Sequence, residues 1–132
     1  MYIYKYNMQY NFYGTHYVAS YLDCDYNALV NINELRQNVK LAILECGATI
    51  IDSSEKIFEN NGFTILFLLS ESHCSIHTYP EHNSIFTDLF TCGTNCSYEK
   101  YEEIMKKYLK PTKIVKDIIQ RGQTNDLVKF MK

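Results

Sequence analysis

The sequence predicts an α+β fold, a two-layer α/β sandwich whose mainly antiparallel sheet carries two main helices packed on one face. Three observations predict it. Several short segments alternate or run apolar at strand length. Two others carry helical periodicity with capping residues, and strands and helices fall into groups around them. With 132 residues, no Pro- or Ser-rich linker and no internal repeat, residues 1–132 suit one domain around one core.

The first segment alternates Tyr2, Tyr4, Tyr6, Met8, Tyr10 and Phe12 with mostly polar residues, which predicts a half-buried strand. Gly14 is expected to interrupt it, with His16–Leu22 as a further strand or its continuation. The first main helix has the clearest local signals. Asn31 can cap it, Glu34 sits three positions on, Val30 can staple against Leu35, and Gly47 supplies the stop. Ile32, Leu35, Val39, Ala42, Ile43 and Cys46 then share one helical face. Ala48–Asp52 reads as a short strand, and Gly62–Leu69, apolar at nearly every position, as a central strand covered on both sides. His73–Tyr79 and Ser84–Cys92 are two more strands about a turn at Pro80–Asn83. A second helix is predicted from Ser97 to Leu109, with Tyr101, Ile104, Met105 and Tyr108 inward and Pro111 blocking continuation. Lys113–Gln120 is a last strand ended by Gly122, and the tail from Gln123 is short and initially polar.

Composition narrows the function class. A formal net charge of -2 makes no electrostatic case for nucleic acid or an anionic membrane as partner. The longest apolar run, Ile65–Leu69, is strand-sized, and the N-terminus shows no basic region before an apolar stretch, so a cytoplasmic address is expected. Cys24, Cys46, Cys74, Cys92 and Cys96 form an odd set, expected as thiols in a reducing compartment.

Reactive side chains concentrate in Ser70-Glu71-Ser72-His73-Cys74-Ser75-Ile76-His77-Thr78-Tyr79-Pro80-Glu81. On a strand, His73, Ser75, His77 and Tyr79 project together, a face too polar for a plain core strand. On the next strand Ser84, Phe86, Asp88, Phe90 and Cys92 share a face. Several chemistries compete. The bland one is a solvated polar strand. A serine hydrolase wants a glycine-flanked nucleophile elbow, which Ser72 lacks. Cys92 with His77 could form a cysteine hydrolase pair. A zinc site drawn from Cys74, His77, His82, Cys92 and Cys96 lacks paired ligand spacing, and no metal is expected.

The run Glu71–Glu81, followed by Asp88-Leu89-Phe90-Thr91-Cys92-Gly93, resembles the signature of the prokaryotic-type S-adenosylmethionine decarboxylases, pyruvoyl-dependent and self-processing. Gly14-Thr15-His16 and Cys46-Gly47-Ala48-Thr49-Ile50 are similar to weaker landmarks of that family, in the same order, so the resemblance spans about Gly14 to Gly122. It implies that Ser72 attacks the Glu71 carbonyl and that the chain is cut into 1–71 and 72–132. The second fragment would then begin with a pyruvoyl group made from Ser72. By position His77 matches the family's processing histidine, and Thr64 a hydroxyl residue that assists it. The pyruvoyl keto group takes the substrate amine as a Schiff base and serves as electron sink. Cys92 matches the cysteine that returns a proton. A thiol near its ordinary pKa, mostly protonated at neutral pH, suits that role.

For the substrate, Phe58 and Tyr79 match aromatic positions that sandwich adenine, and Glu81 a carboxylate that binds ribose hydroxyls. Without the resemblance Phe58 reads as a core residue, and His16 and His82 read as ordinary turn or surface residues. Two positions depart from the family: Tyr79 stands where tryptophan is commoner, and Ser20 stands four residues after His16 where an acidic residue is usual. They leave ornithine or arginine as an alternative substrate to S-adenosylmethionine. A non-catalytic homologue is the alternative from another class, opposed by the intact set Ser72, His77 and Cys92. The family pairs its cut subunits across shared active sites, which implies a homodimer here.

Overall fold

The computed structural model describes residues 10–93 and 95–122. The alternation from Tyr2 to Gln9 and the tail from Gln123 lie outside the described residues. The described residues form six strands and three helices: β1 (Tyr10–Leu22), α1 (Tyr26–Val30), α2 (Ile32–Cys46), β2 (Ile50–Ile57), β3 (Phe63–Leu69), β4 (Ser72–Tyr79), β5 (Ser84–Gly93), α3 (Tyr98–Leu109) and β6 (Lys113–Gly122). A short 3-10 turn, Pro80–His82, joins β4 to β5. The sheet runs β2-β3-β4-β5-β1-β6, and each neighbouring pair is antiparallel. This is the expected α+β sandwich, with α1 as an unanticipated extra turn.

Capping explains the helical region. Asp25 accepts from Asn27 N to start α1, and five residues are too few for a periodic signal. Asn31 closes α1 and opens α2, accepting from Glu34 N at 3.3 Å while its Nδ2 donates to the Glu34 carboxylate at 3.0 Å. Gly47, at φ 105°, ends α2 in the left-handed region that favours glycine. Leu35, Val39, Ala42, Ile43 and Cys46 of α2 and Tyr101, Met105 and Leu109 of α3 are buried. They pack on Tyr17, Tyr21, Ile65, Phe67, Ile76 and Leu89 of the sheet. Burying side chains of this size contributes roughly 1.5–3 kcal/mol each before the chain-ordering entropy is set against it.

Three expectations need correction. Gly14 does not interrupt the first strand, since β1 runs through it with a register shift between Tyr10 and Thr15. A Cβ there would fall 2.5 Å from the Phe90 ring and 2.8 Å from the Thr91 carbonyl, so the close approach of β1 to β5 requires glycine. The strand expected at Ala48–Asp52 begins at Ile50 and continues to Ile57 as a polar sheet edge, held to α2 by Arg36 on Glu55 at 2.6 Å. Finally, β3 is covered on one side only. Phe63, Ile65, Phe67 and Leu69 are buried, whereas Leu66 and Leu68 are 49% and 54% exposed.

Among the described residues, no helix covers that second side of the sheet. Val18, Leu66, Leu68, Phe86, Val115 and Ile119 are exposed and share the pleat side that the β1, β3 and β5 registers turn away from the helices. His73, Ser75, His77 and Tyr79 project from β4 into the same face, as their spacing predicts. Among the described residues no helix is long and apolar enough to cross a membrane.

Candidate active site

The Glu71–Ser72 bond sits at the tip of the β3–β4 hairpin, where Ser70 and Glu71 form the connection. Two contacts with the chain after α2 hold the tip in place. Ser70 N donates to the Thr49 carbonyl at 3.0 Å, and Thr49 N donates to Glu71 Oε1 at 3.1 Å. Ser72 opens β4 opposite Thr91, which brings the end of β5 alongside. There the Cys92 thiol donates to the Glu71 carbonyl oxygen at 2.9 Å. The thiol thus lies on the one oxygen that would gain negative charge if Ser72 attacked the carbonyl carbon. A cleft of about 470 Å³ opens beside this bond, lined in part by Gly14, Glu71, Ser72, Phe90, Cys92 and Arg121.

A polar network backs the cleft. Asp88 Oδ2 accepts from His16 Nε2 at 2.7 Å and His73 Nε2 at 2.9 Å, and Ser75 Oγ donates to Asp88 Oδ1. Arg121 reaches His16 Nδ1 at 3.3 Å and lies over the Phe90 ring at 4.6 Å. A guanidinium can only donate, so His16 Nδ1 accepts and its Nε2 carries the proton given to Asp88. Burial works against the Asp88 carboxylate, but the Ser75, His16 and His73 hydrogen bonds outweigh it and hold its pKa below the ordinary value. His16, His73 and Asp88 bring ligand atoms within 4.8 Å of one another. The Arg121 contact, however, fixes the tautomer in which His16 Nε2, the nitrogen a cation would need, already carries a proton. Cys74 and His77 point to opposite faces of β4, which separates two ligands of the zinc alternative.

The other candidate residues gather at the far end of the same hairpin. Thr64 pairs with His77, and Thr64 Oγ1 lies 3.2 Å from His77 Nδ1. Tyr79 packs on Phe86 with ring centroids 4.8 Å apart. Glu81 Oε2 accepts from Asn60 Nδ2 at 3.4 Å, which ties it to the turn that carries Phe58. Phe58 is 47% exposed, a correction of its reading as core. His16 is likewise neither a turn nor a bare surface residue.

The fold therefore brings Glu71, Ser72 and Cys92 together at one end, and Thr64, His77, Phe58, Tyr79 and Glu81 at the other. Ser72 and His77 are five residues apart on β4, roughly 16 Å along a strand. His16, His73, Ser75 and Asp88 form the network behind the cleft and Arg121 links it to the lining; the motif gave none of the five a role. Their contacts join four strands, and the local signals were the polar face shared by His73 and Ser75 and the single acidic residue of β5.

Replacing Cys92 by alanine removes the donor on the Glu71 carbonyl. Cutting at 71/72 is expected to slow by about 10²-fold, the lower end for loss of an oxyanion donor because a thiol donates weakly. Cys92→Ser, which keeps a donor, should cut faster than Cys92→Ala in a time course on a denaturing gel.

Comparison with known proteins gives a consistent result. A family model described as S-adenosylmethionine decarboxylase matches residues 15–122. The S-adenosylmethionine decarboxylase proenzyme of Thermotoga petrophila is 37% identical over 114 residues, covering 86% of this chain and 88% of the relative. The proenzyme of Fervidobacterium nodosum is 40% identical over 97 residues, covering 74% and 71% of the two chains. The crystal structure of the adenosylmethionine decarboxylase from Aquifex aeolicus superposes with a TM-score of 0.78 at 29% identity, covering 86% of this chain and 94% of that one. Matched over most of its length in both sequence and fold, this chain belongs to the S-adenosylmethionine decarboxylase family.

Proposed function

We propose that this protein is a proenzyme that cuts itself between Glu71 and Ser72 and then decarboxylates S-adenosylmethionine, supplying the aminopropyl donor for polyamine synthesis. The observation that carries the reading is the Cys92 thiol held on the Glu71 carbonyl oxygen. Ser72 Oγ attacks the carbonyl carbon, and the peptide bond becomes an ester as the Ser72 nitrogen is freed. Cys92 donates to the oxyanion while it exists. Removal of the Ser72 α-proton expels the Glu71 carboxylate and breaks the chain. Water then replaces the nitrogen, which leaves as ammonia.

The residues at the hairpin tip fit a pyruvoyl group at position 72: the position faces an open cleft and a donor already stands beside it. When formed, that group supplies an electrophilic carbonyl and an electron sink. Cys92, released from the Glu71 carbonyl by the cut, remains at the cleft to return a proton to the product carbon.

The base for the α-proton is His77. Its Nε2 must be free, so Nδ1–H donates to Thr64 Oγ1. The separation along β4 means that His77 and Thr64 serve the Ser72 of a second subunit. The sheet side without helices provides the surface for that subunit, since its apolar residues gain by burial. In the resulting homodimer, Phe58, Tyr79 and Glu81 of one subunit meet the cleft of the other. Phe58 and Tyr79 take the adenine between aromatic faces, and the Glu81 carboxylate accepts from the ribose hydroxyls.

Carbon dioxide release measured side by side with S-adenosylmethionine, ornithine and arginine tests the substrate. Release is expected from S-adenosylmethionine, with less than a hundredth of that rate from the two amino acids. The reverse order would reject S-adenosylmethionine while leaving the self-cutting chemistry standing.

A further inference from the structure

Two cysteines that the proposed chemistry leaves unused meet behind the hairpin tip. Cys46 is the last residue of α2, and Cys96 lies in the connection between β5 and α3. The backbones are directly bonded there, Ser97 N donating to the Cys46 carbonyl at 2.8 Å. A Cβ on Gly47 would stand 3.5 Å from the Cys96 Cα, so the two segments touch. The thiols of these two touching segments influence each other, which holds the Cys46 thiol down at about 7 and pushes Cys96 up. Cys46 is buried against the core, and half-buried Cys96 offers the approach from outside. None of the five cysteines is in a disulfide in this structure.

We propose that Cys46 and Cys96 are an oxidation site that closes to a disulfide, and that this bond covalently joins the two fragments of the processed enzyme. The joining rests on the cut at 71/72, because Cys46 belongs to fragment 1–71 and Cys96 to fragment 72–132. The oxidant is a low-molecular-weight disulfide. Cys46, as the thiolate, takes the Cys96 proton as the Cys96 sulfur attacks the small disulfide, and one small thiolate leaves. Cys46 passes that proton to the departing thiolate, and its sulfur attacks the mixed disulfide and expels the second small thiolate. Two protein sulfurs are oxidised to one S–S bond, and one small disulfide is reduced to one thiol and one thiolate, which takes its proton from water. In a reducing compartment such a bond is transient and reports the thiol balance.

The bond forms three residues beyond the end of β5, the strand that carries Cys92. It also anchors the end of α2, and Thr49, three residues further on, holds Glu71. Oxidation therefore ties down the segments on both sides of the cut while leaving Cys92 available.

The test incubates the purified protein with oxidised glutathione, blocks remaining thiols by alkylation, and resolves it on denaturing gels with and without reductant. The expected result is a linked species of fragments 1–71 and 72–132 that reductant separates. It should be lost in Cys46→Ala and in Cys96→Ser and retained in Cys24→Ala. The Cys96→Ser change sits at the half-buried position and spares the core, so it stays informative if Cys46→Ala misfolds. The uncut Ser72→Ala chain reports the same bond independently of processing, as the loss of two hydrogens in intact mass. Separate fragments with Cys46 and Cys96 both alkylated, or a link that survives Cys96→Ser, would overturn the proposal. A wild-type chain that stays uncut yet forms the bond would instead count against the cleavage alone.

Discussion

Ser72→Ala is expected to leave one chain of 132 residues and no decarboxylase activity. Alanine has no oxygen to attack the Glu71 carbonyl, so neither the ester nor the elimination can follow. No pyruvoyl group is made, and turnover loses the whole acceleration, on the order of 10⁶-fold or more. The fold should be unaffected, because Ser72 stands at a strand end beside an open cleft rather than in the core. An unchanged melting temperature together with an uncut chain would separate lost chemistry from lost structure. A Ser72→Ala chain that still cuts would remove Ser72 from the mechanism.

His77→Ala carries the second large effect. Loss of the base for the Ser72 α-proton is expected to slow cutting by about 10²–10⁴-fold. Geometry makes a sharper statement possible. His77 and Ser72 of one chain lie at opposite ends of β4, and the Thr64–His77 pair projects from the sheet side without helices. A His77→Ala chain co-expressed with a Ser72→Ala chain should therefore be cut in the mixed dimer, because the second chain brings an intact His77 to the first chain's Ser72. Each variant alone should remain uncut. Failure of the mixed dimer to cut would place both residues in the same subunit's site or remove His77 from processing.

Elements with strong local signals were readable in advance. Asn31, Glu34 and Gly47 bound α2 within the sequence itself, and Ser97 and Pro111 do so for α3. The pleat of β4 places His73, Ser75, His77 and Tyr79 on one side, as alternation requires. Information that depends on distant strands was not readable. An apolar β3 gives no sign of which face lacks a cover, because Leu66 and Leu68 are as hydrophobic as Phe67 and Leu69. Gly14 punctuates a sequence but here admits the Phe90 ring, a requirement set by β5. The Cys92–Glu71 contact depends on β4–β5 register across twenty-one positions. The network of His16, Asp88 and Arg121 joins three strands from both ends of the chain. The motif named Ser72, His77 and Cys92 as candidates, whereas their division between two ends of one hairpin is set by the β3–β4 and β4–β5 registers.

Intact mass of the purified wild-type protein tests cleavage at Glu71–Ser72 most directly. Two species are expected, one ending at Glu71 and one spanning positions 72–132 with a pyruvoyl group in place of its first residue and no free amino terminus. A single uncut chain that releases carbon dioxide from S-adenosylmethionine at full rate would contradict it.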